Sequence, residues 1–378
     1  RISRSYRLNL CYYIAMHKLE DFKDEINKCS KCGLCQAVCP IYKLTGNDCA
    51  VSRGKFVMLN GVLKNDLKLN KNINKYLDLC LKCGKCRDFC PSSIDVCKIL
   101  ETAKYEYAKN TFWGKFVFLL ESKYVFGNLL KIVQKITQPT PRPKVGEGVA
   151  KRRVRGIKLL YFKGCVNTIF PQTDKLLHKL FDNSNVEIME KDFDCCGLPF
   201  LSSGNLERFE EVKQYNLKML DCDFDYVLTD CASCESTLKQ YMDSEFISLG
   251  EFIVQQGLKF KSNKPIKVTF HKPCHLANDA FWENLIDNCE NVEYVKMKDY
   301  DECCGFAGEF ALKNRELSLK ISKQKAQNII NTGADFCVTT CPACILGLKQ
   351  GLFGIKNAPK VLSLTEFITQ LSVISQAR

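Results

Sequence analysis

The stretch Cys29-Ser-Lys-Cys32-Gly-Leu-Cys35-Gln-Ala-Val-Cys39-Pro40 is answered in outline by Cys80-Leu-Lys-Cys83-Gly-Lys-Cys86-Arg-Asp-Phe-Cys90-Pro91. Each run sets three cysteines at C-x-x-C-x-x-C spacing and a fourth three residues further on, directly before proline. Thiols this close together are poorly placed to staple distant loops, but they suit one shared metal site. The proline turns the chain away into its next element. Structural zinc also uses C-x-x-C pairs, yet it takes four ligands from two pairs. It leaves the third regular cysteine and the C-P fourth unexplained, in both runs. Two [4Fe–4S] cubanes account for all eight.

The spacing matches bacterial two-cluster ferredoxins, in which the fourth cysteine of each run ligates the other cluster. On that pattern Cys29, Cys32, Cys35 and Cys90 hold cluster A, and Cys80, Cys83, Cys86 and Cys39 hold cluster B. Cys49 and Cys97 stand outside it and read as small packing residues.

Composition agrees with a metal protein. The chain has 378 residues and 24 cysteines, whereas disulfide-dense domains are usually short and secreted. Such a length implies two or three domains. The formal charge of +13 is counted with neutral thiols and overstates a form carrying bound thiolates. Basic residues are spread along the chain apart from Lys151-Arg152-Arg153-Val154-Arg155, so nucleic acid is not expected as a partner. Arg1 to Ala15 hold three Arg, two Ser and no acid, and are read as an extension or fragment edge before Met16, with weak targeting as the alternative. No apolar run reaches the roughly 20 residues that span a bilayer.

Past residue 156 the chain repeats itself. Cys165, Cys195-Cys196 and Cys231-x-x-Cys234 form one set; Cys274, Cys303-Cys304 and Cys341-x-x-Cys344 form the other, at offsets of 109, 108, 108, 110 and 110 residues. Cys195-Cys196-Gly197 parallels Cys303-Cys304-Gly305. Apolar runs Ile157–Phe162, Asp225–Thr229, Ile266–Phe270 and Asp335–Thr339 read as strands that end at cysteines. Helices are expected over Leu206–Leu220 and Lys313–Asn331, the latter stopped by Gly333. Strands alternating with helices imply parallel sheets, whose sites gather at the carboxyl ends of the strands. Five cysteines per unit are one more than a cubane or zinc needs, and a vicinal pair sets neighbouring thiolates on adjacent metals. This points to a multi-iron cluster, with one zinc and a spare cysteine as the alternative. Cys222, Cys289 and Cys337 lie outside both sets.

These residues resemble two CCG domains, the cysteine-rich domains of heterodisulfide reductase, which implies a noncubane [4Fe–4S] cluster on five cysteines; some members hold zinc in one domain instead. The N-terminal half, from Cys29 through Ser52-Arg53-Gly54-Lys55 to Cys90-Pro-Ser-Ser-Ile-Asp-Val96, resembles the iron–sulfur subunit of bacterial glycolate oxidase, which joins a two-cluster ferredoxin domain to two CCG domains. In that family the last C-x-x-C often lacks its first cysteine. Cys341 is present here, as in the corresponding subunit of anaerobic glycerol-3-phosphate dehydrogenase, which keeps that activity and a heterodisulfide-reductase-like role open. The resemblance spans roughly residues 20–375. It implies an α+β chain: an extension (1–15), a helical two-cluster ferredoxin domain (16–108), a connector (109–156), and α/β CCG domains with parallel sheets (157–262 and 263–378).

The connector contains Gln138-Pro-Thr-Pro-Arg-Pro143, which favours extended polyproline geometry. Before it, Thr111 to Ile136 interleaves aromatics with lysine. That stretch suits a helix pair packed on protein or, alternatively, a membrane interface. His271-Lys-Pro-Cys274-His275 is a candidate for tuning a nearby cluster, against a plain surface loop; His17 and His178 have no such context. No G-x-G-x-x-G fingerprint follows a strand, so no flavin is expected on this chain. The resemblance implies a flavoprotein dehydrogenase partner that oxidises glycolate or lactate, a relay through this chain, a quinone-type acceptor, and a cytoplasmic location with peripheral contact at the inner membrane.

Overall fold

The computed structural model describes residues 18–112, 115, 156–165, 172–182 and 184–375. Arg1 to Ala15, His17, the proline-rich stretch, the Lys151–Arg155 run and most of the aromatic–lysine segment lie outside the described residues.

Up to Lys109 the described chain contains helices and no strand. Each cysteine loop leads into a short helix: Leu34–Val38 after Cys32-Gly33, and Lys85–Asp88 after Cys83-Gly84. Pro40 opens the helix Pro40–Thr45, where its missing N–H costs nothing. The longest helix of this half, Val96–Lys109, buries Val96, Ile99, Leu100 and Ala103, one stripe at helical spacing. They pack on Phe22, Ile26, Leu59 and Leu77.

Two sheets follow. The first comprises β1 (Ile157–Tyr161), β2 (Val186–Glu190), β3 (Tyr226–Thr229) and β4 (Phe246–Ser248) in the order β2-β1-β3-β4, all parallel. The second comprises β5 (Lys259–Phe270), β6 (Cys289–Tyr294), β7 (Phe336–Thr339) and β8 (Lys360–Ser363) in the order β6-β5-β7-β8. The order is that of the first sheet, element for element, as a duplication requires. A ninth strand, β9 (Ser372–Ser375), lies antiparallel to the start of β5, so the second sheet is not wholly parallel. Apolar faces of the two sheets meet in one core, where Tyr161, Leu228 and Phe252 share a cluster with Phe270, Trp282 and Phe367. Trp282 stacks on Phe270 with ring centroids 4.6 Å apart.

The structure departs from the expected elements in two places. β5 begins seven residues before Ile266. Its register on β6 shifts between Lys261 and Ile266, and Pro265 in that interval has no N–H to offer a ladder. The helix expected over Lys313–Asn331 is present as Arg315–Ile330, starting two residues late, and a separate short helix, Glu309–Lys313, precedes it. Asn314 leaves helical geometry at φ −125° and ψ 47°, and its side-chain amide donates to the Asp78 carbonyl at 3.2 Å. A contact with the helical half thus outweighs helix periodicity.

Ion pairs fasten the helical half to the second sheet's unit. Lys85 meets Asp301 at 2.9 Å, Lys43 meets Glu302 at 2.5 Å, and Lys313 meets Asp78 at 2.9 Å. Lys104 is the buried one. Its ammonium contacts Asp78 and Glu309 and donates to the Ser202 carbonyl, so one charge ties three parts of the chain. Burial opposes that charge, and the two carboxylates raise its proton affinity in compensation. Removing one partner of a buried pair strands the others. Lys104→Met should therefore lose about 3 kcal/mol of stability in urea titration, whereas Lys43→Met, at a half-exposed pair, should lose under about 1 kcal/mol.

Candidate metal centres

The two ferredoxin-type runs fold into closely similar loops. Lys31 and Lys82 hold φ of 59° and 54°, and Gly33 and Gly84 hold 86° and 77°. Left-handed residues alternating with others form the anion-binding nests found at iron–sulfur sites, and the Lys82 amide donates to Cys80 Sγ at 3.4 Å. One small cavity is lined by Cys39, Cys80, Cys83 and Cys86; a second is lined by Cys29, Cys32, Cys35 and Cys90. Each gathers three thiols from one run and the C-P cysteine of the other, and Cys86 lies between them, lining both. Four soft thiol donors in a nest of amides fit an iron–sulfur cluster.

The two cavities differ electrically. Cys32 is exposed, and the Leu34 amide holds its thiol below the usual range. Burial pushes the Cys83 thiol well up and that of Cys86 up to about 12, so metal must displace protons from both. Beside the Cys39 cavity lies Lys55, a lysine 1 % exposed, which donates to the carbonyls of Ala50 and, at 3.0 Å, Leu79. Burial opposes its charge and the neighbouring Cys80 and Cys39 favour it. Lys82 pairs with Glu101 at 3.4 Å and donates to the Cys97 carbonyl. Cys97, expected as packing, lines the same cavity; Cys49 is half-buried, and Asn47 accepts from its amide.

The ten cysteines of the repeat form one unbroken line of thiol contacts. Cys165 touches Cys195 at 3.4 Å, and the line runs on through Cys196, Cys234 and Cys231. It crosses to Cys341, then passes through Cys344, Cys304 at 3.4 Å, Cys303 and Cys274. Read from either end the order is the same, because equivalent residues Cys231 and Cys341 touch at the centre. A pseudo-two-fold axis therefore runs between the carboxyl ends of β3 and β7. The Ala232 amide donates across it to the Thr340 carbonyl at 2.8 Å; the mirror bond is absent because Pro342 has no N–H. Both sets face one cavity of about 220 Å³ whose walls include Leu81 and Lys82 of the helical half.

Mutual hydrogen bonding among these thiols divides their charge. Hydrogen bonding with Cys303 and Cys344 brings Cys304 down to about 5, aided by the Phe306 amide. Cys196 and Cys341 are lowered likewise, while Cys195, Cys231 and Cys344 are raised. Such sharing shows thiols packed at multidentate spacing and fits a multi-metal group with vicinal ligands. The glycine that follows each vicinal pair is required by the backbone. Gly197 and Gly305 hold φ of 99° and 84°, and a Cβ on Gly305 would lie 2.8 Å from Ile321 Cβ and 2.9 Å from the Ser318 carbonyl.

The helical half meets this line at its second end. Cys39 and Cys83 pack in one apolar cluster with Cys274 and Cys303. His275 bonds the Lys82 carbonyl at 3.1 Å and Ser233 Oγ at 3.0 Å, and Ser233 Oγ lies 3.5 Å from Cys341 Sγ. His275 thus ties the helical half to both repeat units, which the alternative of a plain surface loop does not provide. His271 is fully buried, with burial and Lys325 pushing its imidazole well below the usual range. Its ring approaches Cys304 and Cys344, the ligating atoms of the three lying within 4.8 Å of one another. His178 makes a half-exposed pair with Glu190. Cys289 and Cys337 are buried, and Cys222 is half-buried. Lys55 was quoted from the sequence only as part of the Ser52–Lys55 stretch, and Lys82 and Ser233 were not singled out; lysine inside a cysteine motif was the available signal for Lys82.

Family models match these regions: a 4Fe-4S dicluster domain over residues 25–94, and a cysteine-rich domain, CCG, over residues 159–239 and again over 268–349. The chain belongs to the iron–sulfur proteins that join a dicluster domain to two CCG domains. It is 28% identical to an uncharacterized iron–sulfur protein of Methanococcus maripaludis, covering 93% of this chain and 74% of that one. It is 24% identical to a subunit of the fumarate reductase (CoM/CoB) of Methanothermobacter marburgensis, over 89% and 70%. It is 23% identical to a probable glycolate oxidase iron–sulfur subunit of Bacillus subtilis, over 92% and 94%.

The glycine of the second CCG domain gives a direct test. Gly305→Ala forces a left-handed alanine and a Cβ clash together, so about 3 kcal/mol of stability should be lost. Thermal melts should show the loss, with less metal retained in that domain than in the unaltered protein.

Proposed function

We propose that this chain is the iron–sulfur electron-transfer subunit of a flavin-linked 2-hydroxyacid dehydrogenase complex of the glycolate oxidase type, acting on glycolate or lactate. One observation carries the reading: the cysteine groups form a graded series from surface to interior. Cys32 is exposed, the Cys39 cavity follows, and Cys83 then packs with Cys274 and Cys303 at the near end of the ten-thiol line. Bound iron–sulfur clusters carry electrons singly, which suits a chain placed between a two-electron flavin donor and its acceptor.

In this reading Cys29, Cys32, Cys35 and Cys90 hold one cubane, and Cys80, Cys83, Cys86 and Cys39 hold the other. Cys165, Cys195, Cys196, Cys231 and Cys234 hold a third cluster, and Cys274, Cys303, Cys304, Cys341 and Cys344 a fourth, both noncubane; zinc in one CCG domain is the competing occupancy. The domain limits 16–108, 157–262 and 263–378 follow the same assignment. The flavoprotein docks at the Cys32 end, and a quinone-type acceptor takes electrons from the CCG end. Among the described residues no helix is long and apolar enough to cross a membrane; a cytoplasmic site of action with peripheral membrane contact is part of the proposal. Lys55, whose ammonium is held by carbonyls, sets positive charge beside the Cys39 group, favouring its reduced state.

A second reading has its own support. The cavity shared by both CCG cysteine sets is large enough for a small thiol or disulfide, so reduction of a disulfide there is the rival activity. Reduction of a disulfide to two thiols by this chain when an artificial one-electron donor such as reduced viologen supplies the electrons, with no flavoprotein present, would favour it.

Protein purified without oxygen should hold about 16 iron per chain. About 8 iron with two zinc would sink the CCG clusters and spare the dicluster ones. With the flavoprotein and substrate, Cys83→Ser should leave the CCG centres oxidised, while Cys304→Ser should leave the dicluster centres reducible. Normal reduction of the CCG centres in Cys83→Ser would reverse the direction of transfer.

A further inference from the structure

The duplication supplies an internal comparison. His271 occupies in the second CCG domain the place that Phe162 occupies in the first, at the offset of 109 residues shared by Cys165 and Cys274. The backbones agree as well. The Phe162 amide donates to Leu228 at 2.8 Å, and the His271 amide donates to Val338 at 2.9 Å. Each ring is 0 % exposed.

Phe162 needs no polar partner and packs on Phe193, with centroids 4.9 Å apart. An imidazole in the same kind of pocket brings two nitrogens, and neither Nδ1 nor Nε2 makes a hydrogen bond of ordinary geometry. The Tyr300 carbonyl lies beside this stretch, where it accepts the Lys272 amide at 3.0 Å. Buried polar groups are almost always paired, and an orphan of this kind calls for a partner. The neighbours that face it are thiols: Nδ1 or Nε2 forms, with Cys304 Sγ and Cys344 Sγ, the one close metal-ligating trio found among the described residues. Metal-bound histidines commonly direct their second ring nitrogen to a carboxylate or a backbone carbonyl, and the Tyr300 carbonyl is available for that.

We propose that His271 is a nitrogen ligand to an iron of the second CCG domain, bound alongside Cys304 and Cys344. The two CCG centres are then chemically unequal: the first is ligated by thiolates alone, and the second by thiolates and an imidazole. The inequality falls in the domain that packs against Cys83, so it distinguishes the centre nearest the dicluster half from the one beyond. The inference rests on the reading that the second CCG domain holds iron.

The test uses the full chain, purified without oxygen and labelled with ¹⁵N-histidine. Pulsed electron paramagnetic resonance is recorded on the signal that Cys304→Ser abolishes. A histidine nitrogen coupling is expected there, lost in His271→Phe with iron content unchanged. That variant installs the residue the sister domain already tolerates at this place. The reciprocal Phe162→His should add a second nitrogen coupling, on the first CCG centre. Full iron with no coupling in the unaltered chain, or the same coupling in His271→Phe, would overturn the ligand assignment and leave the four-cluster reading standing. Zinc in place of iron in the second domain would overturn both.

Discussion

Cys231 and Cys341 sit at equivalent places in the two repeats and touch each other. That contact depends on an architectural constraint. Parallel strands leave their carboxyl ends as the place where loops can converge, so each repeat gathers its five cysteines at one sheet end. Two such ends must face each other for equivalent thiols to meet. The shared apolar core behind the sheets, from Tyr161 to Trp282 and Phe367, holds them in that attitude. Once the sheets are so arranged, a joint cavity and a continuous line of thiols follow.

The helical half is organised around the same problem with different means. Its loops are too short for a sheet to position them, so backbone conformation does it, through the left-handed residues at Lys31, Gly33, Lys82 and Gly84. Crossing the fourth cysteine of each run to the other cavity locks the two loops together. Buried cations compensate for thiolate charge. Lys55 and Lys82 stand inside this half, and Lys104 spans the junction with both CCG domains. Such charges are costly to bury unless paired, and each has carbonyl or carboxylate partners.

Cysteine spacing made the centres legible, since ligands must be near in sequence or recur with the repeat. The strands that end at cysteines were legible for the same reason. β2, β4, β6 and β8 were not, being short and part polar. One signal for two of them was present: Ser248-Leu-Gly-Glu251-Phe-Ile253 and Ser363-Leu-Thr-Glu366-Phe-Ile368 carry matching capping boxes directly after β4 and β8. The start of β5 was hidden by Lys, Asn and Pro265, which suppress strand character locally while neighbours on both sides supply it. The helix break at Asn314 and the docking of Cys83 against Cys274 depend on partners more than 190 residues away, so no local pattern records them. His271 was visible as a histidine near a cysteine; its burial and its orphaned nitrogens were not.

The central claim is an order of centres, with the Cys39 group next to the second CCG domain and the first CCG domain beyond it. Pairwise magnetic coupling between reduced centres in the intact chain measures that order without a partner or substrate. The account predicts that the centre lost in Cys83→Ser couples to the centre lost in Cys304→Ser more strongly than to the centre lost in Cys196→Ser. A stronger coupling to the Cys196 centre would contradict it.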